Sequence, residues 1–418
     1  MASIFSSAPA VRTRRLRAAS VLLAAALLGA LIGRADAQGR GVPAGAHRPH
    51  RAAGRSARHA RASRAPAAPD SIFPTEQVWQ RPLQGVLAAE PGYDDLQAYV
   101  PGRDGHLEAY VLVNGKKRWS VDLRTTLPPA AGDHLVFVAV PDAVVALDRD
   151  DGHVVWREPV PGRVSAPLTW DTGWLIAGTT DGVLLAWRAR DGHLIWQAHV
   201  GAALAARASL GGDRVYAPLA DGRLVALALE TGRPLWTQRF GGPPAQVLPL
   251  DSRLFVGAQD KYFYCLNTDN GRVRWQWRTG GAIVGAPVVD EKRVYFASLD
   301  NVLRALNRFS GTLQWQQALP IRPTSGPQLV AGDVIVAGMN PLLPAYRAAD
   351  GTPVGGVQLP GELAAAPHVT PWGFTIGPSL ILATGSQSGP PELQAIARAI
   401  EPPLVPFTAL PGEPLSGY

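Results

Sequence analysis

A Gly-x-x-x-Trp element returns along this chain at an almost fixed interval, and no other feature of the sequence limits the possible folds so strongly. A turn residue precedes each Gly: Asn114-Gly115 before Trp119, Asp151-Gly152 before Trp156, Asp191-Gly192 before Trp196, Thr231-Gly232 before Trp236, Asn270-Gly271 before Trp275 and Ser310-Gly311 before Trp315. A seventh copy, Asp350-Gly351, has Gly355 at the Trp position. The copies stand 37, 40, 40, 39, 40 and 40 residues apart. A constant period of this size marks a repeat architecture, in which each unit buries its apolar face against the next.

Further columns keep the same register. Ten residues before each Trp position stands a small residue: Ala109, Ala146, Ala186, Ala226, Cys265, Ala305 and Ala345. Fifteen before it stands a turn former in six of the seven copies: Asp104, Asp181, Asp221, Asp260, Asp300 and Asn340. Pro167, Pro287, Pro327 and Pro367 recur further back. Between the columns lie short β-branched and aromatic runs such as 214–217 and 293–297, too short for helices, with Asp-Gly pairs that suit tight hairpins. Each unit therefore reads as four antiparallel strands, and four strands in about 40 residues is the size of one propeller blade. The expected fold class is all-β.

The ends of the chain set the number of blades. Trp79 lies 40 residues before Trp119 but has no Gly four positions ahead of it, as expected of a strand that needs no preceding turn. Ala365-Ala366-Pro367, 380–383 and 393–396 supply three strands of a last unit and no fourth. A strand from Glu76 to Leu83 would complete that unit. The sequence thus predicts an eight-bladed β-propeller over residues 70–402, with both termini closing the last blade so that no sheet edge is left unpaired at the seam.

Charge is divided along the chain rather than spread over it. The formal total is +7, but residues 1–37 carry five Arg against one Asp and residues 38–69 carry seven Arg and no acid, which leaves 70–418 at −4. Arg12, Arg14, Arg15 and Arg17, an apolar run from Ala18 to Ile32, and Ala35-Asp36-Ala37 form the three parts of a secretory signal. Residues 1–37 are therefore expected to be cleaved before Gln38, and the mature chain to be exported to a bacterial periplasm. No cysteine stands at the cleavage point to carry a lipid anchor. Residues 38–69 hold almost no large apolar side chains and read as a disordered basic arm, and 403–418 as a C-terminal tail. The arm reads first as a plain linker, with adhesion to an anionic envelope surface as the alternative. Export argues against a nucleic-acid partner.

Within the repeats, Val215-Tyr216, Asp221-Gly222, Leu224, Ala226-Leu227, Thr231-Gly232 and Trp236 carry a resemblance. They match the blade pattern Val-Tyr…Asp-Gly-x-Leu-x-Ala-Leu…Thr-Gly-x-x-x-Trp of the pyrroloquinoline-quinone-like repeat superfamily, and the likeness covers about residues 75–400. With the fixed spacing, it implies that Trp79, Trp119, Trp156, Trp196, Trp236, Trp275 and Trp315, with the turn glycines Gly115, Gly152, Gly192, Gly232, Gly271, Gly311 and Gly351, are structural wedges between blades. The superfamily has a non-catalytic branch, the BamB-like scaffolds of outer-membrane β-barrel assembly, which the chain resembles in size, leader, blade number and its Leu393-Gln394-Ala395-Ile396-Ala397-Arg398 strand. Its other branch comprises quinone- and calcium-dependent dehydrogenases. Those enzymes carry an adjacent cysteine pair and long insertions, whereas this chain has one cysteine and almost even spacing.

The expectation is thus a monomeric, exported scaffold with protein partners in the cell envelope, possessing no cofactor, no metal and no catalytic residues. The alternatives are a quinoprotein dehydrogenase and a periplasmic module that binds envelope glycan or lipid. Cys265 sits in the alanine column, so a small buried residue is what the position requires. His47, His50 and His59 have a metal ligand's chemistry but lie on the arm without fixed geometry. His106, His134, His153, His193, His199 and His368 are dispersed, and His153 and His193 follow the repeat's Asp-Gly as turn decoration.

Overall fold

The computed structural model describes residues 71–370, 378–385 and 391–399. The expected leader at 1–37, the basic arm at 38–69 with its histidines, and the tail at 403–418 lie outside them. The described residues form eight four-stranded antiparallel sheets, every one with its strands in simple consecutive order except the last. Blade 4 is representative: Ser209–Gly211, Arg214–Pro218, Arg223–Ala228 and Pro234–Arg239 run from the centre of the ring outward.

The hydrophobic pattern follows from this stacking. A blade has a neighbour on each face, so its second and third strands are apolar without alternation, as in Val183–Arg188, where five consecutive residues are buried. The outermost strands meet solvent and alternate, as in Pro234–Arg239. The core is accordingly not one cluster but eight, each built from two adjacent blades. No blade can bury its own apolar face alone, and stability depends on every junction of the ring being made.

The last blade is assembled from both ends of the chain. Its strands are His368–Thr370, Ser379–Thr384, Glu392–Arg398 and, on the outside, Thr75–Pro82. Ala365-Ala366-Pro367, expected within its first strand, stands just before it, because proline has no N–H to give to the ladder and the pairing begins at His368. Antiparallel pairing runs from Thr75 opposite Arg398 to Pro82 opposite Glu392. The inner strands then meet around a central channel, with Tyr93 of blade 1 stacked on His368 of blade 8 where the ring closes.

Candidate functional site

The repeated Trp and Gly residues form one contact, copied around the ring. In blades 1 to 6 the Trp pairs across the ladder with the small residue of the alanine column, for example Trp196 with Ala186 and Trp275 with Cys265, and a bulge follows at the same place. The pair recurs across the two termini as Trp79 opposite Ala395. The indole crosses into the next blade and lies on that blade's turn glycine. Gly115, Gly152, Gly192, Gly232, Gly271, Gly311 and Gly351 all have φ between 66° and 79°, and a Cβ on any of them would come within 2.5–2.9 Å of the preceding blade's indole. Glycine is required twice over, by its backbone conformation and by the ring above it. Six indole N–H groups also donate to a carbonyl of that next blade, those of Leu112, Arg149, Ala189, Leu229, Thr268 and Ala348, at 2.6–3.0 Å. The Trp275 N–H is buried without a partner among the described residues.

The junction from blade 7 to blade 8 has no such contact, and its geometry explains Gly355. The third and fourth strands of blade 8 come from opposite termini, so no turn joins them and no glycine offers a seat for an indole. The segment that enters the first strand fills the space instead. The Phe73 ring lies where a side chain at 355 would project. Ser71 Oγ and Ile72 N–H both donate to Asp333 Oδ2, at 2.6 and 3.0 Å. Arg398 Nη1 donates to the Ser71 carbonyl, and Ala399 N–H to that of Pro74 at 2.8 Å. Ile72, 1% exposed, enters the cluster between blades 7 and 8.

A second arrangement was not visible in the repeat columns. At one mouth of the channel, the turns that join first to second strands in blades 1 and 2 and the first strands of blades 3 and 8 enclose a cleft of about 580 Å³. Its walls include the Tyr93–His368 stack, with ring centroids 4.0 Å apart and planes 2° from parallel. Trp170 lies over Gly132 on the far side. Burial pushes the His368 imidazole down to about 4, against the pull of Asp94, so the ring is neutral at physiological pH. Arg149 Nη2 donates to His134 Nδ1 at 2.8 Å, which leaves the histidine proton on Nε2 because guanidinium nitrogens cannot accept. Asp133 and His134 both have positive φ, 50° and 64°. The corresponding second turn position is Gly173 in blade 3 and Gly332 in blade 7, so blade 2 holds a histidine in a conformation that favours glycine.

Several polar groups of this cleft lack a hydrogen bond. The Tyr93 hydroxyl, the Trp170 indole nitrogen and Arg149 Nε are buried atoms without a hydrogen-bond partner among the described residues. Arg149 Nε stands 3.6 Å from Asp150 Oδ1 and 4.0 Å from Asp94 Oδ2, near enough for charge attraction and too far to donate. The carboxylates of Asp95 and Asp133 make no hydrogen bond or ion pair among the described residues either. Asp94 is occupied: it caps Leu96 and Gln97 N–H and accepts from the Tyr99 hydroxyl. His134 and His368, dispersed in sequence, thus meet in one place, whereas His153 stands exposed at a turn, His193 opens the outermost strand of blade 3, and His106 pairs with Asp122 across the ladder of blade 1. Asp148, Asp151 and His153 form the one group of possible metal ligands among the described residues, on a solvent-exposed turn whose hydrogen bonds they already make. Cys265 is buried, and desolvation pushes its thiol up to about 11, which keeps it protonated and unreactive.

Eight four-stranded sheets, seven of whose junctions set an indole on a glycine turn, define the class: a propeller of the pyrroloquinoline-quinone-like repeat type. The family profile described as outer membrane protein assembly factor BamB matches residues 103–248 and 240–362, from blade 1 to the end of blade 7, and the chain belongs to that family. A BamB of Yersinia pestis is 33% identical over 94 residues, a match covering 21% of this chain and 24% of that protein. The chain thus matches about a quarter of that relative's length. The BamB structure from Moraxella catarrhalis superposes with a TM-score of 0.64 at 16% identity, over 77% of this chain and 99% of the other. The quinohemoprotein alcohol dehydrogenase of Comamonas testosteroni shares the fold at a TM-score of 0.63 and 13% identity, over 78% and 77%.

Proposed function

We propose that the chain is an exported, non-catalytic scaffold of the cell envelope that binds protein partners during assembly of outer-membrane β-barrels. The family match through seven blades carries this reading. The surface supports it: the outermost strands of blades 2, 3 and 4 present Val154, Val155, Leu194, Ile195 and Leu235 to solvent. These strands are the free edges of their sheets, with backbone groups that no further strand pairs. Adjacent exposed aliphatics along unpaired edges suit a protein partner that covers them. Blades 5 and 6 continue the rim with single aliphatics, Val273 and Leu313. The corresponding positions of blade 1, Lys117 and Arg118, are charged, so the apolar rim stops there and is densest on blades 2 and 3. The partner class is the barrel-assembly machinery, and the leader directs the propeller to the periplasm.

The test is photo-crosslinking in the native host from a crosslinking amino acid placed at Val155 or Ile195, with a control position at Arg118. Recovery of barrel-assembly components from the rim positions, and not from Arg118, is the expected result. Recovery of a dedicated secretion system, or no protein at all from either rim position, contradicts the scaffold reading.

A further inference from the structure

A free sheet edge pairs with any extended chain that reaches it, and natural edges oppose this with charged side chains, proline or interrupted strands. Six of the eight outer strands carry such guards. Blade 1 has Lys117, Arg118 and Asp122, blade 2 has Arg157, Glu158 and Pro159, and blade 4 has Pro234 and Arg239. Blade 5 has Arg274 and Arg278, blade 7 has Pro353 with Gly355 and Gly356, and blade 8 has Glu76, Arg81 and Pro82. The outer strands of blade 3, His193–His199, and of blade 6, Leu313–Ala318, hold no Lys, Arg, Asp, Glu or Pro. Blade 6 exposes one aliphatic residue, Leu313, beside three glutamines, whereas blade 3 exposes Leu194 and Ile195 side by side, at 42% and 38%.

Resting on the scaffold reading, we infer that the outer edge of blade 3 takes up an uncharged strand of an unfolded client barrel by strand addition. The backbone is set for it. Val200 N–H donates inward to the Gly182 carbonyl at 2.8 Å. Because the two kinds of pair alternate along an antiparallel ladder, the N–H and C=O groups of Gln197 and His199 point away from the sheet. The side chains specify the occupant. Trp196 and Ala198 face the cluster shared with blade 4, while Gln197 and His199 are exposed. An added strand continues both faces, so it has to be apolar at every second residue and polar at the others. The edge carries no acid or base to pair with a charge, so a charged residue in the added strand gains nothing there. A barrel strand before insertion has this alternation, and neither of its edges is yet paired. The edge of a folded partner is the poorer match, since folded proteins guard such edges as this ring guards six of its own.

The experiment is calorimetric titration of the purified chain with a capped, uncharged nine-residue peptide that alternates valine with serine or threonine. It should bind with a Kd of about 1 mM or tighter. Two versions N-methylated at alternate residues keep the side chains and each block one edge of the peptide, and at least one of them should bind about tenfold more weakly. Ile195→Lys, which adds a charge at an exposed position of the edge, should weaken binding by about tenfold. Gln314→Lys, at the corresponding position of blade 6, should leave it unchanged. Unchanged thermal midpoints show that both variants fold, and in the complex hydrogen exchange should slow at the amides of 193–199 and not at those of 313–318. The inference is overturned if the peptide does not bind, if both methylated versions bind as the parent peptide does, or if Ile195→Lys binds it undiminished. A dimer that Ile195→Lys abolishes would also overturn it, by placing a second copy on the edge. Crosslinking of barrel-assembly components from the rim alongside any of these results would keep the scaffold reading and remove strand uptake alone.

Discussion

Seven junctions of this ring and the eighth solve the same problem with different parts. From blade 8 to blade 1 and onward to blade 7, a Trp lies on the next blade's glycine turn and pairs with an alanine or cysteine of its own sheet. Between blades 7 and 8 there is no turn to receive an indole. The chain uses Gly355, the Phe73 ring and a hydrogen-bonded clasp on Asp333. The repeated junction is apolar and local, and each copy is made by residues 33 to 36 positions apart, such as Trp196 and Gly232. The seam joins Ser71 to Asp333, 262 residues away, and forms only when the whole ring is in place. A repeat can therefore be packed by one rule everywhere except where its ends meet. There the ordering entropy of a long closure is offset by specific polar contacts as well as apolar burial.

The largest effect should come from breaking a repeated junction. Trp196→Ala empties a buried wedge and removes the N–H that reaches the Leu229 carbonyl at 2.6 Å, and is expected to cost about 3–5 kcal/mol in denaturant unfolding. A loss below about 1 kcal/mol would mean that neighbouring blades repack around the void.

Breaking the seam should cost less. Asp333→Ala leaves the buried Ile72 N–H without its acceptor and should lose about 1–3 kcal/mol. The seam also carries a pH signature. Burial pushes the Asp333 carboxyl above its ordinary value, with Ser71, Ile72, Arg347 and Arg398 opposing. Its folded-state pKa then exceeds its unfolded one, so the parent protein gains stability from this group as pH falls through the folded value. The stability gap between parent and Asp333→Ala should widen on acidification from neutral, and melting curves that keep a constant gap would remove the buried carboxylate from the account.

The smallest effect is expected at the position where the repeat itself varies. Cys265 occupies the alanine column opposite Trp275. Cys265→Ala should change stability by less than about 1 kcal/mol and leave the fold unaltered, since it deletes one buried sulfur at a site the other blades fill with alanine. A larger loss would show that blade 5, whose Trp275 N–H has no acceptor among the described residues, depends on the thiol for packing.

The same contrast governs what could be read from the sequence. The blades were legible because seven of the eight junctions impose the same demands, so Ala186, Gly192 and Trp196 have counterparts at one period. The closing strand was legible from Trp79, which keeps that period without a preceding turn. The loss of the Trp at 355 was visible, but its cause was not, because Phe73 and Asp333 belong to no column. The cleft was invisible for a related reason: Tyr93, Asp95, Asp133, Trp170 and His368 come from four blades and from positions that the repeat leaves free. The one local signal was His134, at a turn position that geometry favours as glycine, and only the backbone angle reveals it.

The first strand, Thr75–Pro82, holds the ring shut by completing a blade whose innermost strand begins only at His368. Thermal unfolding of two deletions tests it most directly, one lacking 75–83 and the other lacking 39–66. The first should lose the cooperative transition, because it exposes the edge of the strand Glu392–Arg398 and removes Trp79 from the junction with blade 1. The second should melt at the midpoint of the full chain. Equal, cooperative melting of both would contradict the closure and place the stability of the ring elsewhere.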